Sequence, residues 1–345
     1  MRVAVINKKK CNSKNCGRIC FKYCPPVRSG KETIVFDEEE KAVINESLCI
    51  GCGICVKKCP FNAISIVNLP EELRTGIIHQ YGKNSFRLFK FPIPKKGKIV
   101  GILGQNGIGK TTALNIFSGN LIPNLGDYET EPSKKEIINF FKGTEAHEFF
   151  KKLFDNKIRV SFKPQYVDKL PLAFKGRVMN LLERITKDKE RIRREAIKLE
   201  IEHKLNDDLN TLSGGELQRV AITECLGKEA DLYLLDEPSA HLDVEQRIKT
   251  ARAIRNFIKK KDATAMIIDH DLMLLDYLSD RILVFTGNPG VLGRTLGPVL
   301  MNEGMNLLLK ELGITFRRDE STNRPRANKV GSVKDREQKM RGEYY

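Results

Sequence analysis

Residues 97–112 read GKIVGILGQNGIGKTT: a short apolar run, a loop carrying Gly104, Gly107 and Gly109, then Lys-Thr-Thr. The loop GQNGIGKT matches G-x-x-x-x-G-K-S/T, whose backbone N–H groups wrap phosphate only when a strand enters it and a helix leaves it. Here the apolar run supplies the strand, and a helix is expected from Thr111. Two further apolar runs, DLYLLDEP and ATAMIIDHD, read as buried strands, with helical stretches between them. Strand–helix alternation of this kind implies a parallel sheet with helices on its faces. The expected fold over residues 74–315 is therefore an α/β P-loop ATPase domain.

The chemistry follows from the residue types. Gly104, Gly107 and Gly109 let the backbone approach phosphate, and Asn106 and Thr112 belong to the same nucleotide-binding loop. Lys110 reaches the β- and γ-phosphates, and the Thr111 hydroxyl serves Mg2+. LYLLDE ends a strand with two carboxylates. Asp236 is expected to hold Mg2+, directly or through water, and Glu237 to orient and deprotonate the attacking water. Just upstream, residues 212–219 read LSGGELQR, with Ser213, Gly214, Gly215 and Glu216 at a helix start. This is a second phosphate nest. One P-loop does not need it for the same phosphate, so it suits the nucleotide of a neighbouring ATPase domain.

P-loop, glutamine loop, LSGGE, DE and a later histidine, in this order over about residues 76–300, resemble the ATP-binding cassette ATPases. That resemblance implies further roles. Gln165 in KPQYVD is the residue that senses Mg2+ and γ-phosphate, and so joins the Mg2+ set. Ser213 and Gly215 close on ATP in trans. Asp243 is the acid of the D-loop PSAHLD, and His270 contacts γ-phosphate. Tyr81 in HQYGKNSF precedes the P-loop at the distance of an adenine-stacking aromatic, with Phe86 as its rival. His241 reads as structural, and Cys225 as buried in the signature helix.

Eight of the nine cysteines lie before residue 60. Their spacings are Cys11-x4-Cys16-x3-Cys20-x3-Cys24-Pro25 and Cys49-x2-Cys52-x2-Cys55-x3-Cys59-Pro60. The second run is the 4Fe–4S pattern, in which the fourth cysteine of a two-cluster protein serves the other cluster. On that rule Cys24, Cys49, Cys52 and Cys55 hold one cluster, and Cys11, Cys16, Cys20 and Cys59 a second. Structural zinc is the competing reading of four-cysteine sites, and the Cys-Pro endings and close triple spacing argue against it. Residues 1–73, with short β-type runs ETIVF and KAVIN, are expected to form a small α+β ferredoxin-like domain. A domain this small needs a metal staple.

The rest of the chain bounds the partners. Sixty Lys and Arg against 44 Asp and Glu leave a net charge of +16, which favours a polyanion partner, nucleic acid first. No apolar run approaches the roughly 18 residues of a membrane span, and MRVAVINKKK lacks a secretory apolar region, so a cytoplasmic protein without a membrane partner is expected. Residues 133–156 read as two short helices broken at Gly143 and Thr144, with Thr144 as N-cap. They form either a hairpin packed by its own phenylalanines or a basic contact lobe. Residues 316–345 are polar and basic, and read as a hinge or tail rather than a folded unit.

Three readings compete for the pair of modules. The clusters are redox centres gated by ATP; or they stiffen a small domain that the ATPase moves; or the cassette is the ATPase subunit of a membrane transporter. LSGGE favours an ATP-driven clamp of two cassettes. The whole arrangement resembles the RNase L inhibitor family, the E-type ABC proteins that split ribosomes. That resemblance implies two 4Fe–4S clusters, ATP and Mg2+ as cofactors. It also implies the small ribosomal subunit, its rRNA and a release-factor-like protein as partners. The second cassette, supplied in cis or in trans, follows no residue of this chain. The chain is therefore expected to be a fragment with weak ATPase activity in isolation.

Overall fold

A computed structural model of the chain describes residues 2–46, 48–68, 76–83, 85–89, 93–94, 96–318 and 325–345. The connection at 69–73, and with it the expected boundary at 73–74, lies outside the described residues.

The cysteine-rich region is built on two small antiparallel pairs. Strand β1 (Arg2–Ile6) pairs with β4 (Ile64–Asn68), and β2 (Ile34–Phe36) with β3 (Ala42–Ile44). Single-turn helices Ser13–Cys16, Ile19–Lys22, Pro25–Arg28 and Ile54–Lys58 connect them. Pro25 occupies the first turn of its helix, where its missing N–H is no loss. The core is small: Ala4, Ile6, Ile34, Ala42, Ile44, Ala63 and Ile64, together with Cys11, Cys20, Cys24 and Cys55. The cysteines are a large part of what this domain has to bury.

Eight of the remaining strands make one sheet in the order β5-β6-β12-β11-β7-β10-β9-β8. These are β5 (Ile77–Gln80), β6 (Arg87–Phe89), β7 (Ile99–Leu103), β8 (Val160–Lys163), β9 (Leu232–Asp236), β10 (Thr264–Ile268), β11 (Arg281–Asn288) and β12 (Leu292–Val299). The five strands from β11 to β8 are parallel, while the β11–β12 and β5–β6 pairs are antiparallel. The expected parallel sheet is thus the centre of a mixed one. Strands β7, β9 and β10 are buried at every residue, because helices cover both faces and alternate side chains serve two cores. Tyr233, Leu235, Ala265 and Ile267 join the core under the signature helix Gly214–Gly227. Leu232, Leu234, Met266 and Ile268 join the core under the P-loop helix Lys110–Phe117.

The insertion at 133–156 forms helices Lys134–Phe140 and Glu145–Phe154. Phe141 stacks on Phe150 with centroids 4.7 Å apart, and Phe149 meets Phe117 of the P-loop helix edge-on at 5.4 Å. The hairpin is packed by its own aromatics and fastened to the nucleotide-binding helix. Thr144 is the N-cap residue, but its hydroxyl donates backwards to the Phe141 carbonyl instead of capping.

The stretch 316–345 corrects the expectation of an unfolded tail. Strand β13 (Phe316–Arg318) pairs with β14 (Pro325–Ala327), and a helix follows at Val333–Arg341. A polar knot holds them. Asp335 accepts from the Thr315 hydroxyl (2.7 Å), from the Gly331 N–H (2.8 Å) and from Lys339 (3.0 Å), while Asn328 donates to Thr315 (2.9 Å).

Candidate functional site

A cavity of about 780 Å³ opens at the carboxyl ends of β7, β9 and β10. Asn106, Gly107, Gly109, Lys110, Thr111 and Thr112 line it from the P-loop, with Gln165, Glu237, His270, Tyr81 and Phe86. This is the size of an ordinary small-molecule site. Gly109 sits at φ 99°, and a Cβ there would lie 2.6 Å from the Phe86 ring. Only glycine allows the loop to turn this close to the aromatic.

The charged groups are tightly arranged. Lys110 Nζ donates to the carbonyls of Gly104 (2.6 Å) and Gln105 (3.0 Å) of its own loop. Burial pushes its pKa down, against the pull of Asp236 and Glu237. The Thr111 hydroxyl donates to Asp236 Oδ2 at 2.9 Å, and Asp236 Oδ1 is buried with no hydrogen-bond partner among the described residues. Burial raises the Asp236 pKa, with the Thr111 hydroxyl opposing. A buried orphan carboxylate oxygen beside a threonine hydroxyl is the donor set a divalent cation wants. Glu237 Oε1 takes two partners, Gln165 Nε2 at 2.8 Å and His270 Nε2 at 3.0 Å.

Tyr81 and Phe86 separate clearly. Phe86 is 9% exposed and packs against Gly109 and Gly293, whereas Tyr81 is 55% exposed at the cavity mouth. The Tyr81 hydroxyl lies 3.0 Å from Thr112 Oγ1.

The LSGGE residues line no part of this cavity. Ser213 caps the signature helix in a reciprocal box with Glu216. The Ser213 hydroxyl and N–H each lie 2.8 Å from Glu216 Oε2. Burial raises the Glu216 pKa, but the Ser213 bonds and Lys204 outweigh it and hold the carboxyl below its usual range. A Cβ on Gly215 would lie 2.9 Å from the His241 carbonyl oxygen, so the D-loop packs directly on the signature loop. Asp243 caps the helix Val244–Lys261 through the Gln246 N–H at 2.8 Å. Cys225 is buried in the signature helix beside the Ser161 hydroxyl.

Three contributions escape the sequence reading. Asp269, beside His270, takes the Ser239 hydroxyl (2.8 Å) and N–H (3.0 Å), which ties the D-loop to the histidine loop. Lys163 and Gln218 both reach the backbone of Glu237. Asn7, Lys8, Lys9 and Lys10, from the cysteine-rich domain, line the nucleotide cavity. The basic run before Cys11 is visible in the sequence, but only the docking of the domains brings it here. Along β1, Ala4 and Ile6 face their own core while Val3 and Val5 pack on Phe89 and Val291 of the ATPase domain. Arg87 pairs with Glu46 across the same junction.

Cys24, Cys49, Cys52 and Cys55 line one small cavity with Gly53. Cys20 lies in the field of Cys16, Cys11 and Cys59, and Cys55 in that of Cys49, Cys52 and also Cys20, so the two sets adjoin. All eight are free thiols. Burial pushes Cys20 up to about 11 and Cys55 up to about 12, and neighbouring thiols push the same way. Buried thiols of this kind ionise only with a bound cation, but among the described residues no three cysteines stand together as a metal-ligand group. Backbone N–H groups reach two sulfurs, Ala4 to Cys49 (3.4 Å) and Ala63 to Cys59 (3.3 Å).

Known proteins match the same modules. Residues 91–240 match the ABC transporter family and residues 42–65 the 4Fe-4S binding domain family. Residues 1–32 match the possible Fer4-like domain in RNase L inhibitor. One solved complex, described as ribosome-bound archaeal Pelota and ABCE1, has a chain that aligns with 100% of this one and 99% of its own length. Its TM-score is 0.56 at 31% identity. The chain belongs to the RNase L inhibitor family of ABC proteins, the ABCE1 family. An uncharacterized ABC transporter ATP-binding protein of Methanocaldococcus jannaschii is 46% identical over 92% of the chain and 53% of its own length. Translation initiation factor RLI1 of Saccharomyces cerevisiae is 44% identical over 89% of the chain and 51% of its own. The chain spans about half the length of these curated relatives. It therefore combines an ABC ATPase domain with an iron–sulfur domain. Among the described residues no helix is long and apolar enough to cross a membrane.

Proposed function

We propose that this chain is the iron–sulfur and first-cassette half of a cytoplasmic ribosome-splitting ATPase. A second cassette, in cis or in trans, would complete its nucleotide sites. The observation that carries this reading is the docking of the cysteine-rich domain at the nucleotide cavity, through Val3, Val5, Asn7 and the lysines before Cys11. An ATPase cycle at that cavity acts directly on the position of the cluster domain, which suits a mechanical use of the clusters better than a redox one.

The residues divide the work. Gly107 and Gly109 cradle phosphate, and Lys110 exchanges the Gly104 and Gln105 carbonyls for phosphate oxygens. Tyr81 stacks on adenine. Thr111, Asp236 and Gln165 would hold Mg2+, which neutralises charge on the phosphates. Glu237 takes the proton of the attacking water, and His270 and Gln165 fix its carboxylate by gripping Oε1. Ser213 and Gly215 lie away from their own cavity, so they serve the nucleotide of the second cassette. Cys24, Cys49, Cys52 and Cys55 would hold one 4Fe–4S cluster, and Cys11, Cys16, Cys20 and Cys59 the other; the clusters crosslink a domain with little apolar core. The relatives named for translation initiation and for ribosome-bound Pelota and ABCE1 support the small ribosomal subunit, its rRNA and a release-factor-like protein as partners.

The test is a subunit-splitting assay with this chain, a matching second cassette and a release-factor-like protein. ATP-dependent separation of subunits is expected. Ribosomes that stay intact while the same mixture hydrolyses ATP would overturn the reading.

A further inference from the structure

Glu237 stands in an unusual backbone state. Its φ is 49°, in the left-handed region that a non-glycine residue enters only at a cost. Such a state persists only where the surroundings fix it. The Glu237 N–H donates to the Ile268 carbonyl at 2.8 Å. On the other side, Lys163 Nζ donates to the carbonyls of both Asp236 (2.8 Å) and Glu237 (3.2 Å). Gln218, from the signature helix, donates Nε2 to the same Glu237 carbonyl at 2.6 Å.

Lys163 is the informative residue. It ends β8, two positions before Gln165, and is 1% exposed. It does not line the nucleotide cavity. Burying an ammonium group is expensive unless it is fully bonded, and this one spends its bonds on two successive main-chain carbonyls instead of on a carboxylate. Two adjacent carbonyls aimed at one cation fix the turn between them. That turn decides where the Glu237 side chain points.

We propose that Lys163 is a positioning residue for hydrolysis: it clamps the left-handed turn at Glu237 so that the carboxylate stays where Gln165 and His270 grip it. Gln218 shares the clamp and links it to the signature helix. The inference rests on the reading of Glu237 as the general base.

The experiment is a double-mutant cycle of Lys163→Met and Glu237→Gln in the full 345-residue chain, with a matching second cassette present. Single-turnover ATP hydrolysis is measured with protein in excess, and ADP affinity by fluorescence titration. Lys163→Met is expected to slow hydrolysis by about tenfold or more, leave ADP affinity within about twofold, and add less than about twofold to Glu237→Gln. A rate within about twofold of the parent overturns the proposal. So does an equal slowing in both backgrounds, which is what a merely structural lysine would give. If Glu237→Gln itself leaves the rate unchanged, the general-base reading fails instead. If Lys163→Met does not fold, Gln218→Leu enters the same cycle with the same criteria at a threshold of about threefold.

Discussion

His270 Nε2 lies 3.0 Å from Glu237 Oε1, so the histidine after β10 grips the carboxylate after β9. The contact spans neighbouring strands of the parallel centre. It sets the side chain that would activate water beside the residue that would contact γ-phosphate.

Glu237→Gln removes the proton acceptor while keeping the shape of the side chain. With a second cassette present, turnover is expected to fall by at least about a hundredfold, with ATP remaining bound. Filter-binding of labelled ATP and phosphate release check both parts. Undiminished phosphate release would remove Glu237 as the base.

Tyr81 and Phe86 are expected to behave differently when shortened. Tyr81→Ala should weaken ADP binding by about 1–3 kcal/mol, the range for base stacking, with little change in melting temperature. Phe86→Ala empties a packed position against the P-loop and should destabilise the domain by about 3–5 kcal/mol. Nucleotide titration and thermal melts distinguish them; a Tyr81→Ala protein of unchanged affinity would dismiss the stacking role.

Cys52 and Cys16 are proposed to serve different clusters. Either serine variant should lose about half of the bound iron, since each removes a ligand of one cluster. Both should loosen the cysteine-rich domain. Iron analysis of anaerobically prepared protein decides; full retention in either variant would refute the ligand grouping.

The folded C-terminal stretch carries a pH signature. Hydrogen bonds from Thr315 and Gly331 hold Asp335 down to about 2, from 3.8 for the free side chain. Between those values the unfolded chain binds more protons than the folded one. The stabilisation is therefore complete above about pH 4 and disappears as the pH falls toward 2. The stability difference between the parent and Asp335→Asn, from urea titrations, should be constant at neutral pH and shrink through this window. A pH-independent difference would show that the Asp335 charge contributes nothing.

The sequence reveals most where burial is simple. Strands β7, β9 and β10 are apolar at nearly every residue because both faces are covered, and the P-loop needs a strand and a helix beside it. The sheet edges are less legible. Strand β12, LGRTLGPV, carries no clear apolar alternation and is a strand because β11 and β6 flank it. The tail escapes because its order rests on Asp335, Thr315 and Asn328, a polar network that no apolar periodicity betrays. The docking of the cluster domain escapes because the outward face of β1 gains its meaning only from Phe89 and Val291. At the nucleotide site, Lys110, Gln165, Glu237 and His270 are each legible from a motif, and the cavity brings these four together. Lys163 and Gln218 act on the backbone of Glu237, which no motif encodes.

The most direct measurement for the central claim is gradient co-sedimentation of anaerobically purified chain with ribosomal subunits, using a non-hydrolysable ATP analogue, at low and moderate salt. Surface attraction to RNA weakens steeply with salt. Retention on the small subunit at moderate salt is the predicted result. Loss from both subunits at moderate salt, even with a second cassette added, would contradict a ribosomal function for this half.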